Sequence, residues 1–309
     1  LEKYGWKFAD IHTDARKMAS MAASTFQMFG FECAVVPFDV GVEAEALGCG
    51  VNFYPDQKHI LYPTISRKLA RKVEDLNICM PSDLAKASRI PLVTEAIHLL
   101  KKEIGDQVAV GAWVLGPYTL AGQLVSIADL AKMAFKEPDM VHMALDTLAR
   151  MLIELSRIYI EAGADYITIR EPGAGAGILS PYTFRTLIRP HLEQIFAAIN
   201  SPKILHMCGD TDSIVDQMAL CGANAISVDQ NNHISESRKK LGANILIFGN
   251  IDPYGVIAMG KPDNIDAVVK QTIANGVDAI WPGCDIWPMA PWQDMKMLME
   301  ATQKYGKHG

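Results

Sequence analysis

Apolar positions along the chain fall into two alternating kinds of run. Short runs, β-rich in composition, cover Glu32 to Phe38, Gln107 to Trp113, Asp165 to Arg170, Lys203 to Cys208, Asn224 to Val228, Asn244 to Phe248 and Val277 to Trp281. Their length and composition predict strands. Longer stretches of helical spacing lie between them, including Thr13 to Phe29, Pro91 to Glu103, Asp139 to Ala162, Pro181 to Ile199, Asp212 to Leu220, Asp263 to Asn275 and Pro291 to Tyr305. Strand then helix, repeated, predicts a parallel sheet flanked by helices. The boundaries carry chemical marks: Ser180-Pro181 sets a cap residue before a proline at the first helical position, and Asp139 can cap a long helix that ends near Gly163. Gly222, Gly242 and Gly276 fall between a helix and the next strand.

Polar residues then gather at one end of the strands. Arg170-Glu171, His206-Met207-Cys208, Asp229-Gln230, Asn250-Ile251-Asp252 and Cys284-Asp285 close five consecutive strands. In a (β/α)8 barrel those ends form the face that carries the active site. The fold class predicted is therefore α/β, a TIM (β/α)8 barrel in one domain over residues 1–309, with a doubly wound open sheet as the second choice. Seven strands are one short. The chain opens on Leu1, and Leu1 to Tyr4 reads as the tail of a helix, so an upstream strand and helix are expected to precede it. From about Val51 to Ser88 no strand-helix pattern appears and Pro55, Pro63 and Pro81 interrupt the chain, which predicts an insertion over the active-site face.

Composition narrows the function classes. Net charge is −6 and no long Lys/Arg run appears, which argues against nucleic acid as a partner. No apolar stretch is long enough to cross a membrane as a helix and nothing at the start reads as a signal peptide; the expected location is cytoplasmic. The six cysteines are too sparse for a disulfide framework. Two of them fit a metal pattern instead. His206 and Cys208 lie two apart on a strand, so their side chains leave the same face with alpha carbons roughly 6 to 7 Å apart. With Cys284 they offer an imidazole and two thiolates, a set that suits zinc and leaves a fourth position open for substrate. Cys33, Cys49, Cys79 and Cys221 have no partners at metal spacing and read as inert.

Several segments together carry a family likeness: VEAEALGC at Val42 to Cys49, RIPLVTEAI at Arg89 to Ile97, Gly116-Pro117, EAGAD at Glu161 to Asp165, LSPYTF at Leu179 to Phe184, ILHMCGD at Ile204 to Asp210, GNIDP at Gly249 to Pro253 and PGCDIWP at Pro282 to Pro288. Over essentially its whole length the chain resembles the uroporphyrinogen decarboxylase superfamily, and within it the methylcobalamin:coenzyme M methyltransferase branch. The His-x-Cys motif with a distant Cys belongs to the alkyl-transferring branch and is lacking in the decarboxylases. The resemblance implies a TIM barrel whose first strand would precede Leu1, and a zinc ion held by His206, Cys208 and Cys284. It implies a fourth, displaceable carboxylate ligand where this chain has Asp229 in place of the usual Glu. The implied reaction moves a methyl group from a methylated corrinoid to a thiol, above all coenzyme M. The corrinoid is expected on a separate protein, since the chain has neither a further domain to carry one nor an Asp-x-His-x-x-Gly motif. Zinc keeps a bound thiol as an electron-rich thiolate, which can attack the methyl group of methyl-cobalt(III) and release cobalt(I).

Other strand-end residues have a functional and a structural reading. Glu171, ahead of a Gly/Ala-rich loop, is a catalytic carboxylate beside the metal or part of an ordinary loop, and Asp229 is a ligand, a helix cap or a group behind the ligands. Arg170 pairs with an anionic substrate tail such as a sulfonate or with a neighbouring carboxylate. Asn250 and Asp252 contact the cofactor or shape a turn. Asp210 and Asp285 orient His206 or cap the next helix. Trp287, with Trp281 and Trp292, packs or forms an aromatic rim for the flat corrinoid ring. Transfer in the opposite sense, from a thioether, amine or ether to the corrinoid protein, is the alternative function, and tetrapyrrole decarboxylation is a further competitor.

Overall fold

All seven expected strands form and join one parallel sheet. In a computed structural model that describes residues 1, 4–57, 61–260 and 262–306, they are β1 (Cys33–Val36), β4 (Ala109–Leu115), β5 (Tyr166–Arg170), β6 (Lys203–Met207), β7 (Ala225–Val228), β8 (Leu246–Ile251) and β9 (Ala279–Pro282), in the order β1-β4-β5-β6-β7-β8-β9. β2 (Gly50–Asn52) and β3 (Thr64–Arg67) make a separate antiparallel pair. Ala34, Val36, Val110, Ala112, Ile167 and Leu205 are buried in the core between sheet and helices. The curled sheet is a TIM barrel lacking one strand. Among the described residues β1 pairs only with β4 and β9 only with β8, so no strand joins the two edges, although Cys33 and Val35 share a cluster with Trp281. A cleft of about 570 Å3 lies between them, walled by Cys33 and Val35 on one side and Ile280 and Trp281 on the other.

Register decides what faces the barrel interior. Arg170 pairs with His206, and His206 with Ser227, so residues of β5, β6 and β7 form one lateral row. Side chains on a row share a face. Arg170 and His206 accordingly line the same small interior cavity as Trp113 and Trp281.

Some boundaries differ from expectation. β8 runs to Ile251, three residues beyond Phe248, because Asn250 and Ile251 pair with Trp281 and Pro282; Asn250 is thus inside the strand. The helix expected from Pro181 to Ile199 is broken by a wide turn at Phe184–Ile188 before Arg189–Ala198. Pro190 has no N–H for the normal ladder, and the Arg189 N–H reaches back to the Phe184 carbonyl instead. Ser180 caps as predicted, accepting the Thr183 N–H. Asp139 does not cap. The long helix is Pro138–Glu161, with Pro138 in its first turn and no side-chain cap, and it ends ahead of Gly163, whose φ of +114° only glycine adopts easily. Three unanticipated helices have eight residues or more, Pro117–Leu124, Ile127–Lys136 and Ile234–Leu241, and two are shorter, Asp10–Thr13 and Val42–Ala46.

The expected insertion contacts the loop after β1 and the Pro117–Leu124 helix. Its antiparallel pair is followed by single turns at Val73–Asp75 and Leu84–Lys86; residues 58–60 lie outside the described residues, as do residues 2 and 3 of the expected helix tail. Lys68 Nζ donates to the Gly122 and Val125 carbonyls, and the Val73 N–H to Asp129. Beneath it lies a buried ion network. Arg89 grips both oxygens of Asp39 at 2.8 and 3.0 Å, reaches Glu45 at 2.5 Å, and stacks 4.7 Å from the Phe53 ring centre, while His12 Nδ1 sits 2.9 Å from Asp39.

Candidate metal centre

The strand ends bring three soft donors together. His206 occupies the end of β6 with its ring directed inward, Cys208 follows two residues later, and Cys284 lies just past β9. One ligand atom from each lies within 4.8 Å of the others. Tetrahedral zinc bound at about 2.0 to 2.3 Å sets its donors roughly 3.5 to 3.8 Å apart, so a small inward movement suffices. His206 is 7% exposed and its Nδ1 lies 3.0 Å from Ser227 Oγ. With Nδ1–H donating to that oxygen, Nε2 keeps its lone pair for a metal, the support that histidine ligands usually have. Ser227 was not foreseen. Neither Asp210 nor Asp285 orients the imidazole: Asp210 accepts the Asp212 N–H and Asp285 pairs with Arg170.

Without a metal the two thiols act as a pair. Hydrogen bonds from Cys208 and His206 pull the Cys284 pKa down to about 5, whereas the interaction with Cys284 and then burial push Cys208 upward. A divalent cation satisfies both sulfurs as thiolates and displaces the shared proton. The donor set, the supported imidazole and the proximity all fit zinc.

Asp229 stands just behind this triad. Its Oδ2 accepts the Gly209 N–H at 2.5 Å and Asn231 Nδ2 at 3.1 Å, and Oδ1 accepts the Asn231 N–H at 2.8 Å. It is not a member of the three-donor group. Its short side chain instead braces the turn that follows Cys208. The chain before Cys284 packs against the same residue: a Cβ on Gly283 would stand 2.8 Å from the Asp229 alpha carbon. Asn250 holds this loop from the next strand, donating Nδ2 to the Asp229 and Asn232 carbonyls at 3.1 and 3.0 Å.

The remaining predicted residues serve other contacts. Glu171 is fully buried, with Oε2 accepting the Tyr118 N–H at 2.9 Å and Oε1 the Thr119 N–H at 2.6 Å and the Thr119 hydroxyl. It caps the Pro117–Leu124 helix from a neighbouring strand. Burial pushes its pKa up to about 7, against these donors, which favour the anion. Asp252 accepts the Tyr254 and Gly255 N–H groups at 2.9 Å and closes a turn. Arg170 lies 4.3 Å from the Trp113 ring centre and donates Nη1 to Asp285 at 2.8 Å, beside Cys284 at the mouth of the cleft. Trp287 is half exposed and meets Tyr254 edge-on at 6.1 Å; Met259, Met289 and Trp292 are exposed as well.

Comparison with known proteins identifies the family. The uroporphyrinogen decarboxylase (URO-D) family profile matches residues 1–305. The methylcobamide:CoM methyltransferase MtaA of Methanosarcina barkeri is 32% identical over 306 residues, covering 99% of this chain and 89% of that protein. The methylated-thiol–coenzyme M methyltransferase of Methanosarcina mazei is 24% identical over 95% of this chain and 78% of its own length. Among solved structures, a methyltransferase from Methanosarcina mazei superposes with a TM-score of 0.90 at 30% identity, covering 96% of this chain and 88% of that one. The chain belongs to the uroporphyrinogen decarboxylase family, on the branch of its methylcobamide:coenzyme M methyltransferases.

Proposed function

We propose that this enzyme binds one zinc ion through His206, Cys208 and Cys284 and moves a methyl group from a methylated corrinoid, carried on a partner protein, to a small thiol, coenzyme M first among them. The observation that carries the reading is the triad itself, three donors within 4.8 Å with the imidazole held by Ser227. Bound zinc would acidify an incoming thiol and keep its sulfur nucleophilic at neutral pH. The protein's own groups do the rest. Ser227 fixes the His206 ring, Asp229 and Asn250 hold the loops that present the two cysteines, and Arg170 stands beside Cys284 where an anionic tail would lie. In the transfer the new S–C bond forms as the Co–C bond breaks, and its electron pair stays on cobalt. The exposed Trp287, Tyr254 and Met289 beside the metal loop offer an apolar wall for the corrinoid face.

Metal analysis and turnover test the reading together. The purified enzyme should carry about one zinc per chain, and Cys208→Ala or Cys284→Ala should lose it along with thiol methylation from free methylcobalamin. Full metal-free activity in either variant sinks the proposal. The similarity to a methylated-thiol–coenzyme M methyltransferase favours a second reading, in which a thioether loads the corrinoid protein. Supplying methyl thioethers with cobalt(I) corrinoid and following the cobalt spectrum separates the two.

A further inference from the structure

We propose that Thr168, inside the barrel, is a specificity-determining residue whose hydroxyl, together with the Arg170 guanidinium, receives the anionic tail of the thiol substrate in one small cavity that also touches the metal triad. This rests on the thiol-methylation reading and adds to it the part of the site that chooses among thiols.

The cavity reaches from the triad into the barrel. Its volume is about 80 Å3, and Trp113, Thr168, Arg170, His206, Trp281 and Cys284 are among the residues that line it, so two of the three proposed metal ligands form part of its wall. Arg170, Trp281 and Cys284 also line the wider cleft, which gives the cavity a way in. A water molecule needs roughly 10 to 15 Å3 of such space, which leaves room for the few heavy atoms beyond the sulfur of a two-carbon thiol. Register sets the depth of each group. Arg170 pairs with His206 and stands level with that ligand, whereas Thr168 comes two residues earlier on β5 and pairs with Trp113 and Ile204. Its side chain therefore leaves the same inner face one step, about 6 to 7 Å, deeper.

Thr168 is 7% exposed, and its hydroxyl has no hydrogen-bond partner among the described residues. A buried hydroxyl without a partner costs free energy, so one that lines a cavity is a donor awaiting what fills it. Two polar groups nearby are already taken. Trp113 donates its indole N–H to the Pro37 carbonyl at 2.7 Å, and His206 Nδ1 lies 3.0 Å from Ser227 Oγ. Arg170 is only partly engaged: its guanidinium lies 4.3 Å from the Trp113 ring centre and Nη1 donates to Asp285 at 2.8 Å, while its other donors have no protein partner among the described residues. A positive charge and a neutral donor between two indole walls suit a compact anion such as a sulfonate or a carboxylate. The substrate is thereby held at two points: sulfur at the His206, Cys208 and Cys284 end, anionic group at the Arg170 and Thr168 end.

Titration calorimetry on zinc-loaded wild-type, Thr168→Val and Thr168→Ser protein tests this directly, with 2-mercaptoethanesulfonate, 3-mercaptopropionate and 1-propanethiol as ligands. Thr168→Val keeps the branched shape and removes only the hydroxyl; Thr168→Ser keeps the hydroxyl. With Thr168→Val, binding of an anionic thiol should weaken roughly tenfold, the worth of a hydrogen bond to a charged group, with 1-propanethiol unchanged, and Thr168→Ser should recover most of the loss. A loss confined to the sulfonate or to the carboxylate supports the inference and shows which tail the site prefers. Equal weakening of all three thiols, or Thr168→Ser as impaired as Thr168→Val, would mark Thr168 as a packing residue, and no weakening at all would show that the hydroxyl is idle; any of these overturns it. If the wild-type protein binds none of the three, the thiol-transfer reading has failed first, and the inference falls with it.

Discussion

Glu43 gives the sharpest quantitative expectation. It is 1% exposed; its Oε1 accepts the Leu115 N–H at 2.8 Å, while Oε2 is buried with no partner. Burial pushes its pKa up from 4.5 to about 7, outweighing the pull of that N–H. Because the folded pKa lies above the unfolded one, the group favours the fold fully below about pH 4.5. That contribution is lost as pH rises through about 7 and is gone above it. By linkage, the interval corresponds to about 3 kcal/mol. Glu43→Gln cannot ionise and keeps the oxygen that accepts from Leu115, but it buries an amide N–H2 without acceptors, at a pH-independent cost of about 1 to 3 kcal/mol. Measured by denaturant unfolding, the variant should therefore be the less stable protein at pH 5 and should recover about 3 kcal/mol relative to wild type by pH 8. In thermal scans the gap between the two should move by on the order of 5 °C. Glu171 also titrates in this window, but it is present in both proteins and cancels in the difference. Parallel stability profiles between pH 4.5 and 7 would show that Glu43 is not buried as a neutral acid.

Two substitutions probe the metal loop. Ser227→Ala removes the partner of His206 Nδ1 and should weaken zinc binding about tenfold in a chelator competition, with little change in the fold; unaltered affinity would deny Ser227 its orienting role. Gly283→Ala places a methyl 2.8 Å from both the Asp229 backbone and Gln230 Oε1, so the segment before Cys284 must move. A stability loss of about 1 to 3 kcal/mol with reduced zinc content is expected, and a variant with full zinc and unchanged melting would contradict the close packing seen there.

What the sequence disclosed follows from the range of each interaction. Strand identity and the triad were legible because His206 and Cys208 share a face through a two-residue period and Cys284 closes another strand on the same rim. The roles of neighbouring polar groups were not. Ser227 supports His206 only because β6 and β7 pair those two residues, and Glu171 caps a helix more than fifty residues away in the chain, a partnership that only tertiary folding creates. The Pro117–Leu124 helix was missed for the same reason, since its cap comes from β5 rather than from its own sequence. Asp229, open in the sequence between a ligand and a group behind the ligands, shows how side-chain length enters. One methylene shorter than glutamate, it reaches the Gly209 and Asn231 N–H groups and spends its oxygens there.

The triad also has a mechanical part to play. His206 and Cys208 sit at the end of β6, the central strand, whereas Cys284 follows β9, three strands away along the sheet. An ion bound by all three is a rivet between them. Stripping the metal should free the segment after β9 first, so chelation will register as faster amide exchange around Cys284 ahead of any loss of helix.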